Sequence, residues 1–246
     1  MQHNFLACLL ALCALAAAPS ALAETAPDYA AIVAAPDRSD ADRKLDTNRA
    51  PAKWLAFVGA KPGMHILDIF AVNGWKAELL ARAVVPDGKV YAQNSEAAFA
   101  RVKDRLEARL KAPAAGNIVS VVRPIDDPAP PGMHDFDRVT FFYAYHDVSY
   151  LPVDRARMNK AFYAALKPGG ELLVGDYAAK SAAGTGVVQT LHRSDEALVT
   201  AEIEAAGFKL VEHGDFLRVP ADAHDAPSHS SGQPVDIYLL KFRKPG

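Results

Sequence analysis

The chain has 246 residues, 27 Lys and Arg against 29 Asp and Glu, a formal net charge of −2 and a hydrophobic fraction of 50%. That composition suits one soluble globular domain with a substantial core. Its charges are balanced and mixed along the chain, which leaves no footprint for nucleic acid or an anionic membrane.

Phe5–Ala18 is continuously apolar, and Ala21-Leu22-Ala23 forms a small-x-small cleavage site before Glu24. Residues 1–23 therefore read as a secretory signal peptide, too short to span a bilayer. The expectation is an exported chain, periplasmic or secreted, with no stable membrane anchor after cleavage. Both cysteines, Cys8 and Cys13, fall inside this leader. The remaining chain has no disulfide, thiol nucleophile or zinc–thiolate site.

Residues 24–60 read as a helical extension. Tyr29–Ala34 is a short apolar helix, Asp37–Asp46 is densely charged, and Pro51 opens a helix through Val58 with Trp54, Phe57 and Val58 on one side. These helices are expected to cover a sheet edge or the mouth of a cleft.

From residue 61 onward, strands alternate with helices. His65–Phe70 is a buried strand, Ala71–Gly74 a turn, and Trp75–Val85 a helix with Leu79, Leu80 and Ala83 at helical spacing. Lys89–Asn94 is a second strand, and Ser95 caps a helix to about Lys111. Ile118–Val122 and Val139–Tyr143 are the third and fourth strands. The helix Arg155–Leu166, stopped by Lys167-Pro168-Gly169-Gly170, precedes a fifth strand at Glu171–Asp176. Ser194 is expected to cap the helix Asp195–Ala206. Phe208–Val219 is the sixth strand and Asp236–Phe242 the seventh; with no helix between these two, they should pair antiparallel. The pattern implies one mostly parallel sheet with helices on both faces.

The phrases inside that pattern resemble the class I S-adenosylmethionine-dependent methyltransferases. Pro62-Gly63-Met64 with Leu67-Asp68 looks like their opening strand, and Asp87-Gly88-Lys89-Val90-Tyr91 like the second. Phe136-Asp137-Arg138-Val139 looks like the fourth, Leu166–Leu172 the approach to the fifth, and Ala205-Ala206-Gly207-Phe208 the entry to the sixth. The resemblance covers about residues 62–244. It implies a Rossmann-like, seven-stranded, mostly parallel sheet whose last strand is inserted antiparallel. More narrowly, the chain is similar to a group of predicted methyltransferases that carry signal peptides. It shares their Gly-Trp after the first strand, Asn159–Gly170, the His192-Arg193 region and a Lys-Phe-Arg-Lys-Pro ending.

The resemblance implies S-adenosylmethionine as cofactor and a small-molecule substrate; oligomeric state is not legible. The family's acid–x–Gly–x–Gly–x–Gly turn maps to Asp68, Phe70, Val72 and Gly74, so only the acid and the last glycine are kept. Phe70 and Val72 both carry a Cβ, which makes φ > 0 costly there and implies a reshaped or closed pocket. By the same mapping Asp68 meets the cofactor's amino group, Asn94 its ribose, and Asp126 (or Asp127) its adenine amino group.

Tyr143, Tyr145, His146 and Asp147 follow the fourth strand on the crevice side of the sheet. A protonated methyl acceptor needs a base, and His146 is the best placed one, with Asp147 to orient it. Asp176 and Tyr177 end the fifth strand and face the same crevice. His192 and Arg193 follow a glycine-bearing loop, where Arg193 either binds an anionic group or holds a lid by a salt bridge. His224, Asp225 and His229 read as a polar loop in preference to a metal site. Two other readings stay open: a non-catalytic binding module on a degenerate methyltransferase fold, and a nicotinamide-dependent enzyme.

Overall fold

The computed structural model describes residues 26–229, 232 and 234–246. The segment read as a signal peptide lies outside the described residues. Three helices, α1 (Tyr29–Ala34), α2 (Asp40–Asp46) and α3 (Pro51–Val58), come first. They are followed by β1 (His65–Ile69), α4 (Trp75–Val84), β2 (Lys89–Asn94), α5 (Glu96–Leu110), β3 (Ile118–Val122) and β4 (Phe136–Phe142). Then come α6 (Tyr145–Val148), α7 (Arg155–Ala165), β5 (Leu166–Tyr177), α8 (Val188–Leu191), α9 (Glu196–Ala205), β6 (Lys209–Gly214) and β7 (Ile237–Arg243).

The strands form one sheet in the order β3-β2-β1-β4-β5-β7-β6. Neighbours from β3 through β5 are parallel, while β7 is antiparallel to both β5 and β6. Six strands therefore share one direction and β7 alone opposes them. Between β6 and β7 the described residues form no helix, and the two strands pair antiparallel, whereas each parallel step is made by a crossover.

Side chains alternate across the sheet with a period of two. On one face Leu67, Val139, Phe141, Leu172, Val174, Tyr238 and Leu240 pack with Met158 and Phe162 of α7 and Val199 and Ile203 of α9. On the other, Ile66, Val90, Leu173 and Leu239 pack with Trp54, Leu55 and Val58 of α3 and with Leu79, Leu80 and Val84 of α4. Strands covered on both faces read as continuous apolar runs, and each such side chain contributes roughly 1.5–3 kcal/mol.

Several boundaries differ from the sequence-based expectations. β4 begins at Phe136 and stops at Phe142, because Tyr143 takes φ 63 and turns the chain into α6. β5 starts at Leu166 and incorporates Lys167–Gly170, since Gly169 N donates to Lys244 O and Lys244 N to Gly170 O. β6 ends at Gly214, five residues before Val219, where Asp215 O accepts from Arg218 N in a turn. The cap of α9 is Asp195, whose carboxylate accepts from Ala197 N and Leu198 N; Ser194 points into the sheet instead.

The N-terminal helices pack against α4 through polar ties that converge on the β1–α4 turn. Tyr29 Oη donates to Ala60 O at 2.8 Å, and Trp75 Nε1 to Asp46 Oδ1 at 3.2 Å. From α5, Arg109 donates to both carboxylate oxygens of Asp42, to Glu78 and, at 2.7 Å, to Asn73 O. Gly74 leaves room for that guanidinium: a Cβ there would lie 2.9 Å from Arg109 Cδ. The helices thus cover the mouth of the crevice at the carboxyl ends of β1 and β4.

Candidate functional site

The β1–α4 turn keeps the backbone course that its side chains oppose. Phe70, Val72 and Gly74 take φ 53, 54 and 82, so all three are left-handed. For a residue with a Cβ this costs roughly 1–2 kcal/mol, and a β-branched residue is the hardest case. The strain persists because the turn is fixed from β2. Gln93 Oε1 accepts from Phe70 N and Gln93 O from Ala71 N, while the Asn94 amide accepts from Val72 N and donates to Val72 O. Gln93 and Asn94 are fully buried. Both amide atoms of Asn94, expected at a ribose, are thereby engaged with the turn itself.

Val72 is 38% exposed, so its side chain contributes little burial. Val72→Gly is expected to relieve about 1–2 kcal/mol of strain and to lose about 1 kcal/mol through the freer unfolded chain. A thermal melt should therefore move by only a few degrees. A loss above roughly 2 kcal/mol would show that the side chain, not the backbone, matters.

Asp68 is fully buried at the foot of the turn. Its Oδ1 accepts from Thr140 Oγ1 at 2.8 Å, and Lys76 Nζ lies 3.9 Å away. Asp68 Oδ2 is buried with no hydrogen-bond partner, as is the Tyr143 hydroxyl. Burial pushes the Asp68 carboxyl up and the Lys76 ammonium down, each toward its neutral form, against their mutual attraction.

A cavity of about 370 Å³ opens beside the turn, lined by Phe70, Val72, Trp75, Tyr143, Asp147 and Tyr177 among others. A second, of about 850 Å³, lies beyond Leu45, Arg49, Tyr143 and Tyr177, which line both, and reaches the segment before β7. The Arg49 guanidinium sits 5.0 Å from the Trp75 ring centroid and 4.9 Å from that of Tyr143, at cation–π range. The crevice is therefore aromatic, and its Arg49 is paired with no carboxylate among the described ion pairs.

Beyond Tyr177 the carboxyl ends of β4 and β5 hold a buried polar chain. Asp176, fully buried, accepts from His146 N at 2.7 Å, Ser194 Oγ at 2.8 Å and Tyr177 N at 2.9 Å. His146 Nδ1 lies 2.8 Å from Asp176 Oδ1, and the carboxylate fixes the proton there. His146 Nε2 is left 3.4 Å from Asp147 Oδ1, and Tyr150 Oη donates to that same oxygen at 2.8 Å. Burial opposes a charged imidazole, but the Asp176 hydrogen bond and the charges of Asp176 and Asp147 outweigh it and raise the His146 pKa. Asp176, not Asp147, is thus the residue that orients His146. The His192 ring stands 5.4 Å from that of His146, carried by a left-handed residue that ends α8.

Other expected residues lie elsewhere. Tyr145 turns into the core, where its hydroxyl donates to Glu202 and accepts from Asn159, because α6 rotates it away from the crevice. Arg193 is fully buried and donates to Ala178 O, Ala226 O and Asp222; it ties down the segment before β7, its charge is answered by Asp222, and it lines neither cavity. Asp126 faces Arg157 at 3.5 Å, Asp127 pairs with Arg123, and neither lines the two cavities. His224 bonds Asp236, whereas His229 reaches the His192 ring at 4.8 Å. Arg49, Lys76 and Gln93 carry no site role in the sequence pattern, and Ser194, expected as a helix cap, instead donates to Asp176. The available signal was a polar residue inside an otherwise apolar strand or helix face, as at Gln93 and Lys76.

No family model matches the chain. Over 130 residues it is 31% identical to the chloroplastic 2-phytyl-1,4-beta-naphthoquinone methyltransferase of Arabidopsis thaliana. That alignment takes in 50% of this chain and 45% of the relative, so the chain spans under half the length of the curated relative it matches. A solved S-adenosylmethionine-dependent methyltransferase from Aquifex aeolicus superimposes with a TM-score of 0.60 at 17% identity, over 84% of this chain and 100% of that one. A putative sarcosine dimethylglycine methyltransferase from Galdieria sulphuraria gives 0.61 at 16%, over 85% and 89%. The [4+2]-cyclase SpnF gives 0.57 at 17%, over 83% and 81%, so one fold carries more than one chemistry. With β7 inserted between β5 and β6, the chain has the Rossmann-like fold of the class I S-adenosylmethionine-dependent methyltransferases.

Proposed function

We propose that the chain is an S-adenosylmethionine-dependent methyltransferase acting on a small-molecule acceptor. The observation that carries this reading is the turn Phe70–Gly74. It holds three left-handed residues at the glycine spacing, beside an aromatic cavity at the carboxyl edge of the sheet. A backbone held in so costly a shape against its own side chains argues for a ligand that needs that course. The residues present suit the cofactor: Asp68 Oδ2 and the Tyr143 hydroxyl are buried polar atoms without a partner, and Arg49 offers a charge to a carboxylate. The partial likeness to a naphthoquinone methyltransferase supports the same reaction class.

When bound, the cofactor supplies a methyl group on a sulfonium open to direct displacement. The chain's own part is to align the acceptor and take its proton. His146 Nδ1 donates to Asp176, which leaves the Nε2 lone pair beside Asp147, at the rim of the cavity. An acceptor hydroxyl or thiol lying there gives its proton to Nε2. Tyr143 and Tyr177, whose ring centroids are 5.7 Å apart, wall the path between turn and histidine, and His192 closes its far side. Phe70 and Gly74 shape the near side. The leading apolar segment and its Ala21-Leu22-Ala23 site support export to the periplasm or medium.

Calorimetric titration with S-adenosylmethionine and S-adenosylhomocysteine, with NADH as a control, tests this. The expected result is micromolar binding of either sulfur ligand, no heat with NADH, and equal or tighter binding by Val72→Gly. Absence of heat at millimolar ligand would contradict it and favour a binding module in which Lys76 permanently answers Asp68.

A further inference from the structure

The polar cluster at the end of the crevice has the donors and the support of a metal centre. Among the described residues, His146, Asp147 and His192 form the one group of three His, Cys, Asp or Glu whose ligand atoms all lie within 4.8 Å of one another. Two imidazoles and one carboxylate are a set that leaves coordination positions open for a further ligand.

The surroundings decide between a chance cluster and a built one. His146 Nδ1 donates to Asp176, a fully buried carboxylate that Ser194 and the Tyr177 amide hold in place. That bond fixes the tautomer in which Nε2 presents its lone pair, and a carboxylate behind a histidine is the usual support of a metal-bound imidazole. Asp147 is braced in turn by the Tyr150 hydroxyl at 2.8 Å. Nε2 and Asp147 Oδ1 are 3.4 Å apart, and donors around an ion with bonds near 2.1 Å stand about 3–3.4 Å apart. His192 needs a movement of roughly 1–1.5 Å to complete the set, within the range of side-chain adjustment on binding. It is carried at the end of the four-residue helix α8, in the loop between β5 and α9. The His229 ring, 4.8 Å from that of His192, is within reach as a fourth donor.

The geometry points to a binding site for a first-row transition-metal dication at His146, Asp147 and His192, with Asp176 positioning His146. Two of the three donors are imidazole nitrogens, which favours zinc, cobalt or iron over magnesium or calcium. A dication there neutralises the Asp147 charge and offers an open position to a hydroxyl, thiol or carboxylate reaching in from the cavity beside Tyr177. In the loaded chain Nε2 would be a ligand, and the ion would lower the pKa of an acceptor hydroxyl or thiol bound to it, whose proton would pass to water in the open cavity. The site stands on these residues alone and does not depend on methyl transfer.

The test is titration of the chelator-treated full chain with Co²⁺, read by visible absorption, and with Zn²⁺ in competition. One equivalent should bind in the micromolar range or tighter, with ligand-field bands of a four- to five-coordinate nitrogen and oxygen site. His192→Ala, at a half-buried loop residue, and Asp147→Asn should each weaken binding by at least about tenfold while a thermal melt shows each variant folded. His134→Ala, at an exposed histidine, should leave it unchanged. No saturable binding at millimolar Co²⁺, or equal affinity in His192→Ala and the unmodified chain, would overturn the assignment. S-Adenosylhomocysteine binding, measured on the same preparation, separates failure of the metal site from failure of the methyltransferase reading.

Discussion

Asp176→Asn is expected to lower methyl transfer by about 10²–10⁴-fold and to destabilise the chain by about 2–4 kcal/mol. The carboxylate receives four donors: the His146 amide and ring nitrogen, the Tyr177 amide and the Ser194 hydroxyl. An amide has the same shape but only one acceptor oxygen. Turned one way, its NH₂ meets His146 Nδ1 and the Tyr177 N–H; turned the other, it meets the His146 N–H and Ser194. The imidazole escapes the first conflict by accepting at Nδ1, which moves its proton to Nε2 and removes the lone pair that faces Asp147. Because the residue is fully buried, water cannot repair the mismatch. Turnover with methyl-labelled cofactor and a thermal melt measure the two effects. S-Adenosylhomocysteine affinity should change little, since Asp176 lines neither cavity beside the turn. A variant with turnover within threefold of the original chain would remove Asp176 and His146 from the mechanism.

Arg109→Met is expected to cost about 3–5 kcal/mol, the range for removing one partner from a buried ion pair. Its guanidinium joins α5 to Asp42 on α2, to Glu78 on α4 and to the Asn73 carbonyl in the strained turn, with side-chain exposures of 12%, 3% and 8% for Arg109, Asp42 and Glu78. Methionine keeps most of the volume and leaves the buried Asp42 carboxylate without its hydrogen-bonded cation, while Glu78 keeps Arg82. The same contact sets an acid dependence. Burial alone would raise the Asp42 carboxyl, but the hydrogen bond and charge of Arg109, with Ser39, hold it below its ordinary value. A depressed folded-state pKa contributes stability that is complete above the unfolded value, near pH 4, and is lost as pH falls through the lower folded value. Denaturant melts of the parent chain should therefore weaken below about pH 4, and Arg109→Met should flatten that part of the acid limb. Equal stability of the two at pH 7 would show that the N-terminal helices are not held through this arginine.

The sheet was legible because its central strands are covered on both faces, which writes each of them as an apolar run between turn residues. Lys89–Asn94 keeps its expected bounds, as does the mostly exposed edge strand Ile118–Val122 through its β-branched residues, and the antiparallel β7 follows from the absence of a helix between β6 and β7. Phe136–Val139 is less readable, since Asp137 and Arg138 interrupt the apolar pattern; those two residues reach across to Lys167 and to the Val58 carbonyl. The site was legible in part. His146, Asp147, Asp176, Tyr177 and His192 do gather, because they sit at strand and loop ends on one edge of the sheet. What decides their roles is long-range: Asp176 is 30 residues from His146 in sequence, and no local spacing predicts that bond. Tyr145 was misplaced for the same reason, since the left-handed Tyr143 rotates α6 by an amount the sequence does not announce. The turn shows the converse case. Phe70 and Val72 argue locally against φ > 0, and Gln93 and Asn94, buried on the neighbouring strand, impose it.

Whether the crevice beside the Phe70–Gly74 turn takes the cofactor is tested most directly by a crystal structure of the chain grown with S-adenosylhomocysteine. Ligand density is expected along Phe70, Val72 and Gly74, with its amino-acid end within reach of Arg49 and the Tyr143 hydroxyl and its sulfur directed toward Tyr177 and His146. Density elsewhere, or a crevice holding only water at millimolar ligand, would contradict it.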